Sequence, residues 1–461
     1  MSITLIFIAL LAFYVACNLG ANDVANSMGT SVGSKAITLK QAIIIAGILE
    51  FTGAVLFGQE VSQTLATKIA NPVLFAATPE IYLIGMVTVL ITCGLWLQIA
   101  TSQGLPVASS HAVVGAIAGF SWIAVGVDAI NWSSIGLVAI GWIFTPIISS
   151  AIAALFYSQI KHWILDQPNQ VAQLQQWIPW LSVILLGIFG VIVLPSLTQP
   201  LTNYLNERIG LNLPSYDIPL FTGAVAAIAL TVISWRQLEK VADTADKKQI
   251  LSTQNSPVGA GLQISSNINE DITKPAPTNK SALSTQHPAL STPIESLFGR
   301  FQVISACFVA FAHGSNDVGN AIAPLAAVVY INRTGNVPIN GITIPIWILI
   351  LGGAGIVVGL ALWGEKVIAT IGENIITLQP SSGFCAELAT ATTILLASRF
   401  GLPVSTSHAL VGGVVGVGLV QNIKSIKFQT LQSIAVTWLI TLPVSAILSA
   451  AIFSTARMLF L

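Results

Sequence analysis

The chain is poor in charge, because only 8% of its 461 residues are Asp, Glu, Lys or Arg. An ordinary soluble domain carries roughly 25% charged residues. Hydrophobic residues reach 54%, so the composition excludes a soluble domain and indicates an integral membrane protein surrounded by a lipid bilayer. The 18 basic and 18 acidic side chains cancel, so net charge gives no reason to expect a nucleic acid as partner.

Cysteine and nucleotide-binding motifs are also scarce. The four cysteines stand singly within apolar runs, without the paired spacing of a metal or redox site. The chain has no P-loop and no Gly-rich dinucleotide fingerprint, so we expect neither ATP coupling nor a cofactor. No basic residue precedes Lys35, so the first apolar segment lacks the positive start of a secretory signal and is expected to be a retained helix.

Long apolar runs are what the sequence does contain. Runs of bilayer-spanning length, about 20 residues each, predict an all-α integral membrane protein with about twelve transmembrane spans. These runs lie near residues 3–20, 39–58, 81–100, 105–126, 133–157, 176–197, 216–236, 301–330, 344–363, 383–398, 403–421 and 429–456.

A polar segment separates two sets of spans. Residues 237–296 are rich in Ser, Thr, Asn, Gln and Pro with scattered charges, a composition that cannot form a packed core and predicts a disordered linker. Most of the 18 Lys and Arg residues fall in this linker or in loops on its side of the bilayer. Because loops rich in Lys and Arg stay in the cytoplasm, we expect a cytoplasmic linker and two extracytoplasmic termini.

Two motifs occur twice in the chain. GANDVAN at 20–26 returns as GSNDVGN at 314–320, and GLPVASSHA at 104–112 returns as GLPVSTSHA at 401–409. The two motifs keep nearly the same spacing in each half, so the chain contains two copies of one unit. We expect a first transport repeat at 1–130, intervening transmembrane helices at 131–236, a second repeat at 297–425 and a C-terminal transmembrane helix at 426–461.

The number of spans predicts how the two copies are oriented. About seven spans of bilayer length precede the second copy, and an odd number of crossings reverses its direction through the bilayer. Inverted-topology repeats are typical of secondary transporters, whose substrate site lies near the midplane and is built from broken helices. We therefore expect two inverted repeats with broken or re-entrant half-helices, joined by the central polar linker.

The Asn-Asp motif has the chemistry of a cation site. The glycine ahead of it is expected to break the helix and free backbone carbonyls, and carboxylate and amide oxygens are hard ligands for a small cation. In the alternative, each Asp merely caps a half-helix that starts just after it. An intramembrane carboxylate is a functional candidate by default, so we expect cation binding at Asn22, Asp23, Asn26, Asn316, Asp317 and Asn320.

The second motif has the chemistry of an anion site. Pro106 and Pro403 are expected to stop one helical stretch, so that hydroxyls and unpaired N–H groups begin a new half-helix. A helix N-terminus carries a partial positive charge and holds an oxyanion without Lys or Arg. In the alternative, the hydroxyls bond back to the preceding turn. The candidate anion ligands are Ser109, Ser110, Thr406 and Ser407.

Together these motif pairs, the spans and the polar linker resemble the inorganic phosphate transporter (PiT) family of sodium- or proton-coupled phosphate symporters. The likeness covers residues 1–130 and 300–425. It implies a secondary active symporter that imports inorganic phosphate with Na⁺ or H⁺ by alternating access. It further implies that the Ser/Thr motifs bind phosphate and that the Asn-Asp motifs bind the cation, with Na⁺ at Asp23 and Asp317. The residues alone indicate only a cation and an oxyanion.

Two further acids, Glu50 and Glu387, resemble acidic positions that matter for transport in this family. Aligned by the flanking glycines, Glu50 meets Ile356 and Glu387 meets Leu90, so the two acids are not a symmetric pair. Each could be a proton carrier, a cation ligand or a structural acceptor, and the sequence leaves these roles open.

Histidines lie beside both motifs, at His111, His313 and His408. We interpret all three as packing residues rather than as proton relays or ligands. His313 has no counterpart in the first copy, where Leu19 stands.

Two other functions compete with a symporter. A phosphate-permeable channel would pass phosphate without dependence on an ion gradient. An intramembrane hydrolase would use Ser110 or Ser407 with a histidine, but adjacent helical side chains point about 100° apart and cannot form the required nucleophile–base pair. We therefore expect a transport protein and not an enzyme. The oligomeric state stays open, with a homodimer as one candidate.

Overall fold

The computed structural model describes residues 3–103, 107–209, 214, 216–254, 293–371 and 376–460. These residues form fourteen α-helices, and their β pairing is limited to a single bridge between Ala70 and Ile130. The helices are α1 (Ile3–Gly33), α2 (Leu39–Phe57), α3 (Gln59–Thr67), α4 (Pro79–Ser102), α5 (Ser109–Ala124), α6 (Trp132–Ile160), α7 (Gln170–Ile192), α8 (Leu194–Tyr204), α9 (Asp217–Gln254), α10 (Pro293–Thr334), α11 (Ile346–Ile371), α12 (Pro380–Arg399), α13 (Thr406–Gln421) and α14 (Phe428–Phe460).

Most of the helices are long and apolar enough to cross a bilayer. Within the described ranges, nine meet that condition of length and hydropathy: α1, α2, α4, α6, α7, α9, α10, α11 and α14. The expected all-α integral membrane fold is confirmed. The spans expected near 105–126 and 403–421 correspond to α5 and α13, which have only 16 residues each. At about 1.5 Å per residue, neither helix can cross alone.

The Asn-Asp motifs do not interrupt their helices, so the break expected there is wrong. Helix α1 runs without interruption through Gly20–Asn26, and α10 runs through Gly314–Asn320. The glycines serve close helix packing instead. A Cβ at Gly20 would collide with the carbonyl oxygen of Ile356 on α11, and one at Gly314 with that of Glu50 on α2. Glycine at such crossings lets two backbones approach.

Helices from the two ends of the chain pack on one another. Helix α1 packs on α11 and α10 on α2, while the short helices α5 and α13 pack on α14 and α6. Each short helix makes its contact through two glycines that meet backbone carbonyls of the partner. The contacts are Gly115 with Leu442, Gly119 with Ala446, Gly412 with Pro146 and Gly416 with Ser150.

Apolar side chains hold these pairs together in two main clusters. Phe75, Tyr82 and Phe120 are fully buried in the first, which includes residues of α1, α4, α5, α10 and α11. The second cluster, on α6, α7, α10, α12 and α13, includes Phe298 and Phe384. Other large hydrophobic side chains are exposed on the outer faces of the helices, as a surface in contact with lipid requires.

The segment predicted as a linker is helical at both ends. Helix α9 continues to Gln254, and α10 begins at Pro293, whereas residues 255–292 lie outside the described residues. The polar stretch at 238–254 contains several Lys, Gln, Ala and Leu residues, which favour a helix. The cytoplasmic location of the linker, the outside position of the termini and the homodimer stay predictions.

Candidate functional site

The two Asn-Asp motifs meet in the interior, where α1 and α10 cross. Ser34, directly after α1, donates to Gln302 near the start of α10 at 2.6 Å, so the two helices run antiparallel. Further along, one ligand atom each of Asp23, His313 and Asp317 lie within 4.8 Å of one another. All three side chains are buried. Two carboxylates, one from each Asn-Asp motif, therefore share one small space.

Each carboxylate is bonded to the first hydroxyl of a short helix. The hydroxyl of Thr406 donates to Asp317 Oδ2 at 2.8 Å, and the hydroxyl of Ser109 hydrogen-bonds to Asp23. Ser109 and Thr406 are the first residues of α5 and α13. The half-helix starts predicted from sequence are thus present, and they lie against the carboxylates.

The last Asn of each motif links the two halves. Asn320 Nδ2 donates to Ser109 Oγ at 3.2 Å, and Asn26 Nδ2 approaches Thr406 Oγ1 at 3.5 Å. Each amide also donates to the Asp of its own motif, at 3.5 and 3.1 Å. A half-helix hydroxyl is therefore held by an Asp from its own half and an Asn from the other.

The first Asn of each motif holds the end of a preceding helix. Asn22 Nδ2 donates to Thr101 Oγ1 and Asn316 Nδ2 to Ser398 Oγ, both at 3.0 Å. Thr101 and Ser398 lie in the last turns of α4 and α12, just before the loops that lead to α5 and α13. Because both amide nitrogens donate to these helix ends, a cation would have only the amide oxygens as ligands.

The two short helices begin differently. Ser405 precedes α13 and accepts from His408 N at 3.3 Å, and its hydroxyl lies 2.9 Å from Ser407 Oγ. Ala108 stands at the same place before α5 and offers no side-chain cap. Ser110 Oγ is buried with no hydrogen-bond partner among the described residues. Pro106, which was predicted to stop the helical stretch before α5, lies outside the described residues.

Several buried oxygens at the site lack a hydrogen-bond donor in the described part of the chain. A buried polar atom without a partner costs about 1–3 kcal/mol, so such a group of oxygens favours binding of a cation. The atoms are Asp23 Oδ2, Asn316 Oδ1, Asn320 Oδ1 and Glu50 Oε2.

His313 joins the site, so its interpretation as a packing residue is wrong. Its Nε2 lies 3.0 Å from Asp317 Oδ2 and its Nδ1 lies 3.2 Å from Glu50 Oε1. Ser27 donates to the same oxygen of Glu50 at 2.9 Å. The signal available in sequence was an ionisable residue directly before a duplicated motif, at a position that is Leu19 in the other copy.

Glu387 lies apart from the carboxylate cluster. It accepts hydrogen bonds from Thr30 at 2.5 Å, Ser31 at 2.7 Å and Gln302 at 3.2 Å on Oε1, and from Ser305 at 2.7 Å on Oε2. Thr30 and Ser31 lie two turns beyond Asp23, roughly 10 Å along α1. The acid is recognisable in the sequence, whereas these four donors are not.

Comparison with known proteins identifies the molecule. The model of the phosphate transporter family matches residues 19–449. The chain belongs to the phosphate transporter family. It is 38% identical to the chloroplastic inorganic phosphate transporter 2-1 of Arabidopsis thaliana over 95% of this chain and 70% of that protein. A solved structure described as the sodium-dependent phosphate transporter is similar with a TM-score of 0.80, at 32% identity over 99% of both chains.

Membership of the phosphate transporter family confirms the resemblance stated from the motifs. It also confirms that the protein is a phosphate-transporting membrane protein and not an enzyme, so the intramembrane hydrolase is excluded. His111 and His408 pack on Trp142 and Trp438 instead.

Proposed function

We propose that this protein is a secondary active symporter that imports inorganic phosphate together with Na⁺. The observation that carries the proposal is the meeting of Asp23 and Asp317 with the first hydroxyls of two short helices in one buried place. Carboxylates suit a cation and helix N-termini suit an oxyanion.

The cation sites follow from the crowding of two buried carboxylates. Two negative charges this close repel strongly in a low-dielectric interior, and a bound cation relieves that repulsion. Asp23 and Asp317 carry the charge, and the oxygens of Asn22, Asn26, Asn316 and Asn320 complete the set of hard ligands that a small cation prefers. The similar solved structure is described as sodium-dependent, which supports Na⁺ as the cation.

The phosphate site follows from the two half-helix starts. Ser109 and Ser110 begin α5, while Thr406 and Ser407 begin α13. The candidate donors to one anion are therefore two helix N-termini and four hydroxyls, of which those of Ser109 and Thr406 are bonded to the carboxylates in this structure. No Lys or Arg is among the buried residues in the described part of the chain. The negative charge of phosphate must therefore be balanced by cations at the carboxylates, so each ligand strengthens binding of the other.

We infer that the two halves are inverted repeats and that transport proceeds by alternating access. Support comes from the antiparallel run of α1 and α10, which carry the same motif. Inverted halves around a shared site can expose it to either side by exchanging conformations.

The two further acids receive different roles. Glu50 faces His313, which contacts Asp317, so we assign Glu50 to coupling. Glu387 receives four hydrogen bonds from residues of α1 and α10, so we assign it to structure, as the acceptor that joins these helices to α12.

Proton coupling is the second candidate, and one observation favours it. Glu50, His313 and Asp317 form a continuous line of three ionisable groups in which the imidazole bridges two carboxylates. Such chains of Asp, Glu and His are the usual proton relays of membrane transporters.

Counterflow in proteoliposomes tests the proposal. Vesicles loaded with unlabelled phosphate should take up labelled phosphate transiently, faster with Na⁺ than with choline at fixed pH, with competition from arsenate and much less from sulfate. A flat Na⁺ series with stimulation by acid would identify H⁺ as the partner. Uptake that follows only the phosphate gradient, without counterflow, would indicate a channel, and equal competition by sulfate would contradict the phosphate site.

A further inference from the structure

Two histidines outside the carboxylate site connect the short helices to the long ones. His111 lies in the first turn of α5 and His408 in the first turn of α13, and both are buried. Their rings contact each other edge to face, with centroids 4.9 Å apart. The two half-helix starts therefore touch directly through these side chains.

Each histidine also bonds to a long helix from the opposite half. His111 Nδ1 lies 3.1 Å from the backbone oxygen of Trp438 on α14, and His408 Nδ1 lies 3.0 Å from that of Trp142 on α6. A carbonyl oxygen can only accept, so Nδ1 carries the hydrogen in both rings. Both hydrogen bonds cross between the halves.

The ring contacts pair each histidine with the other tryptophan. His111 packs on the indole of Trp142 with centroids 3.8 Å apart, and His408 packs on that of Trp438 at 3.7 Å. Each imidazole thus packs against one indole, with the rings tilted by 39° and 35°, and donates to the backbone of the other tryptophan. The four residues tie α5, α6, α13 and α14 into one unit, which we call the crossed clasp.

We propose that the crossed clasp sets the position of the two half-helix starts, and that His111 and His408 are positioning residues for the phosphate. This proposal rests on the proposed function of Ser109 and Thr406 as phosphate ligands. Each histidine follows its hydroxyl residue by two positions, about 200° around the helix. A rotation that loosens the imidazole therefore displaces the hydroxyl on the other face.

The clasp defines the distance between two ligand groups that must meet one tetrahedral anion. Glycine contacts along α5 and α13 permit close packing on α14 and α6, but glycine has no side chain to resist sliding or rotation. The imidazoles supply a directional hydrogen bond and a ring contact with an indole on each side. Loss of the clasp should therefore weaken phosphate binding while the helices remain packed.

The test measures phosphate binding and uptake by purified, reconstituted protein carrying His408→Leu, His408→Asn or the matching His111 variants. Leucine removes the N–H group and the aromatic ring, whereas asparagine can place an amide N–H near the position of Nδ1. We expect KM and Kd for phosphate to rise about tenfold in each Leu variant, the size of one weakened hydrogen bond to a charged group. The maximal rate per folded protein should change less than about twofold, and Asn should recover most of the affinity.

Ser449→Ala is the matched control. Ser449 on α14 donates to the backbone oxygen of Ala116 on α5 at 2.7 Å, so it joins the same two helices as His111 and Trp438 but away from the half-helix start. We expect it to lower thermal stability without raising KM. If a Leu variant fails to reach the membrane, Trp438→Leu removes the indole that packs against His408 while keeping the backbone carbonyl, and it should also raise KM.

The outcomes separate the possible failures. Unchanged KM in the Leu variants or in Trp438→Leu, with only a lower melting temperature, would overturn the positioning role. A rise in KM for Ser449→Ala equal to that for His111→Leu would overturn it too, because any loosening of α5 would then suffice. If wild-type protein binds no phosphate at all, the proposed function fails and the clasp proposal with it.

Discussion

Asp23 and Asp317 have matching hydrogen-bond partners, but they differ in their direct contacts with ionisable side chains. Both carboxylates contact an Asn three residues later and the first hydroxyl of a short helix. Asp317, however, contacts His313, which in turn contacts Glu50. The equivalent positions of the first copy carry Leu19 and Ile356, although His313 also lies within 4.8 Å of Asp23.

The glycine contacts show that these positions correspond. Gly20 meets the backbone of Ile356 just as Gly314 meets that of Glu50, so one crossing carries an isoleucine and its counterpart a glutamate. The binding geometry is kept in both halves, while a second ionisable pair is present in only one. Such a difference would let the two proposed cation sites respond differently to the same cation.

The largest expected effect comes from removing the carboxylate that each Asn-Asp motif contains. Asp23→Asn and Asp317→Asn should each abolish coupled uptake while leaving the protein folded in the membrane, because an amide cannot balance a cation beside phosphate. Labelled phosphate uptake under Na⁺ and under H⁺ gradients measures this, with membrane amount checked by immunoblot. If both variants concentrate phosphate at wild-type rates, the motifs only cap or pack, and the assignment is wrong.

The next largest effect is expected at His313 and Glu50, which have apolar counterparts in the other half. His313→Leu leaves Glu50 and Asp317 without the group between them, and removing one partner of a buried polar contact costs about 1–3 kcal/mol. The double variant His313→Leu with Glu50→Ile copies the Leu19 and Ile356 surroundings and should recover much of that stability.

Thermal unfolding of purified protein compares the two His313 variants. The control is Glu50→Ile alone, which leaves His313 with one carboxylate. A double variant no more stable than His313→Leu would contradict the bridging role of the imidazole.

Smaller and equal effects are expected at the hydroxyls that match between the halves. Ser109→Ala and Thr406→Val should each weaken phosphate affinity roughly ten- to a hundredfold, because each lost hydrogen bond to a charged group costs roughly 1.5–3 kcal/mol. Ser110→Ala and Ser407→Ala should act in the same direction. Binding of labelled phosphate to purified protein measures all four, and unchanged affinity in every variant would place the anion elsewhere.

The smallest effect is expected outside both halves. Replacing residues 258–290 by a flexible Gly/Ser segment of equal length should leave uptake in vesicles within about twofold, because this composition supplies no packed core. The replacement keeps the described ends of α9 and α10. Complete loss of uptake despite normal membrane insertion would show that the segment takes part in transport.

Much of the site was predictable because its motifs are duplicated. Ser109 and Thr406 were expected at the starts of new helices and lie there. The helix break at Gly20 and Gly314 was wrong because absence of a Cβ permits both a break and a close crossing. Only the helix packed against each glycine shows whether the chain breaks there or crosses that helix closely.

His313 was missed for a related reason. A histidine in an apolar span is a packing residue or a polar partner depending on what faces it, and Glu50 lies far from it in sequence. The contacts of His111 and His408 with two tryptophans could not be predicted from the sequence either. No local pattern shows which long helix a short helix packs on.

The sequence by itself determined the membrane environment, the two copies and the chemical types of ligand, because hydropathy, repetition and side-chain chemistry are local properties of the chain. The tertiary structure decided which copies of these ligands meet. It placed Asp23 beside Asp317, inserted His313 between two acids and separated Glu387 from them. Which side chains meet depends on how closely the helices cross. The crossing distance is set by the two helix surfaces in contact and not by either segment alone.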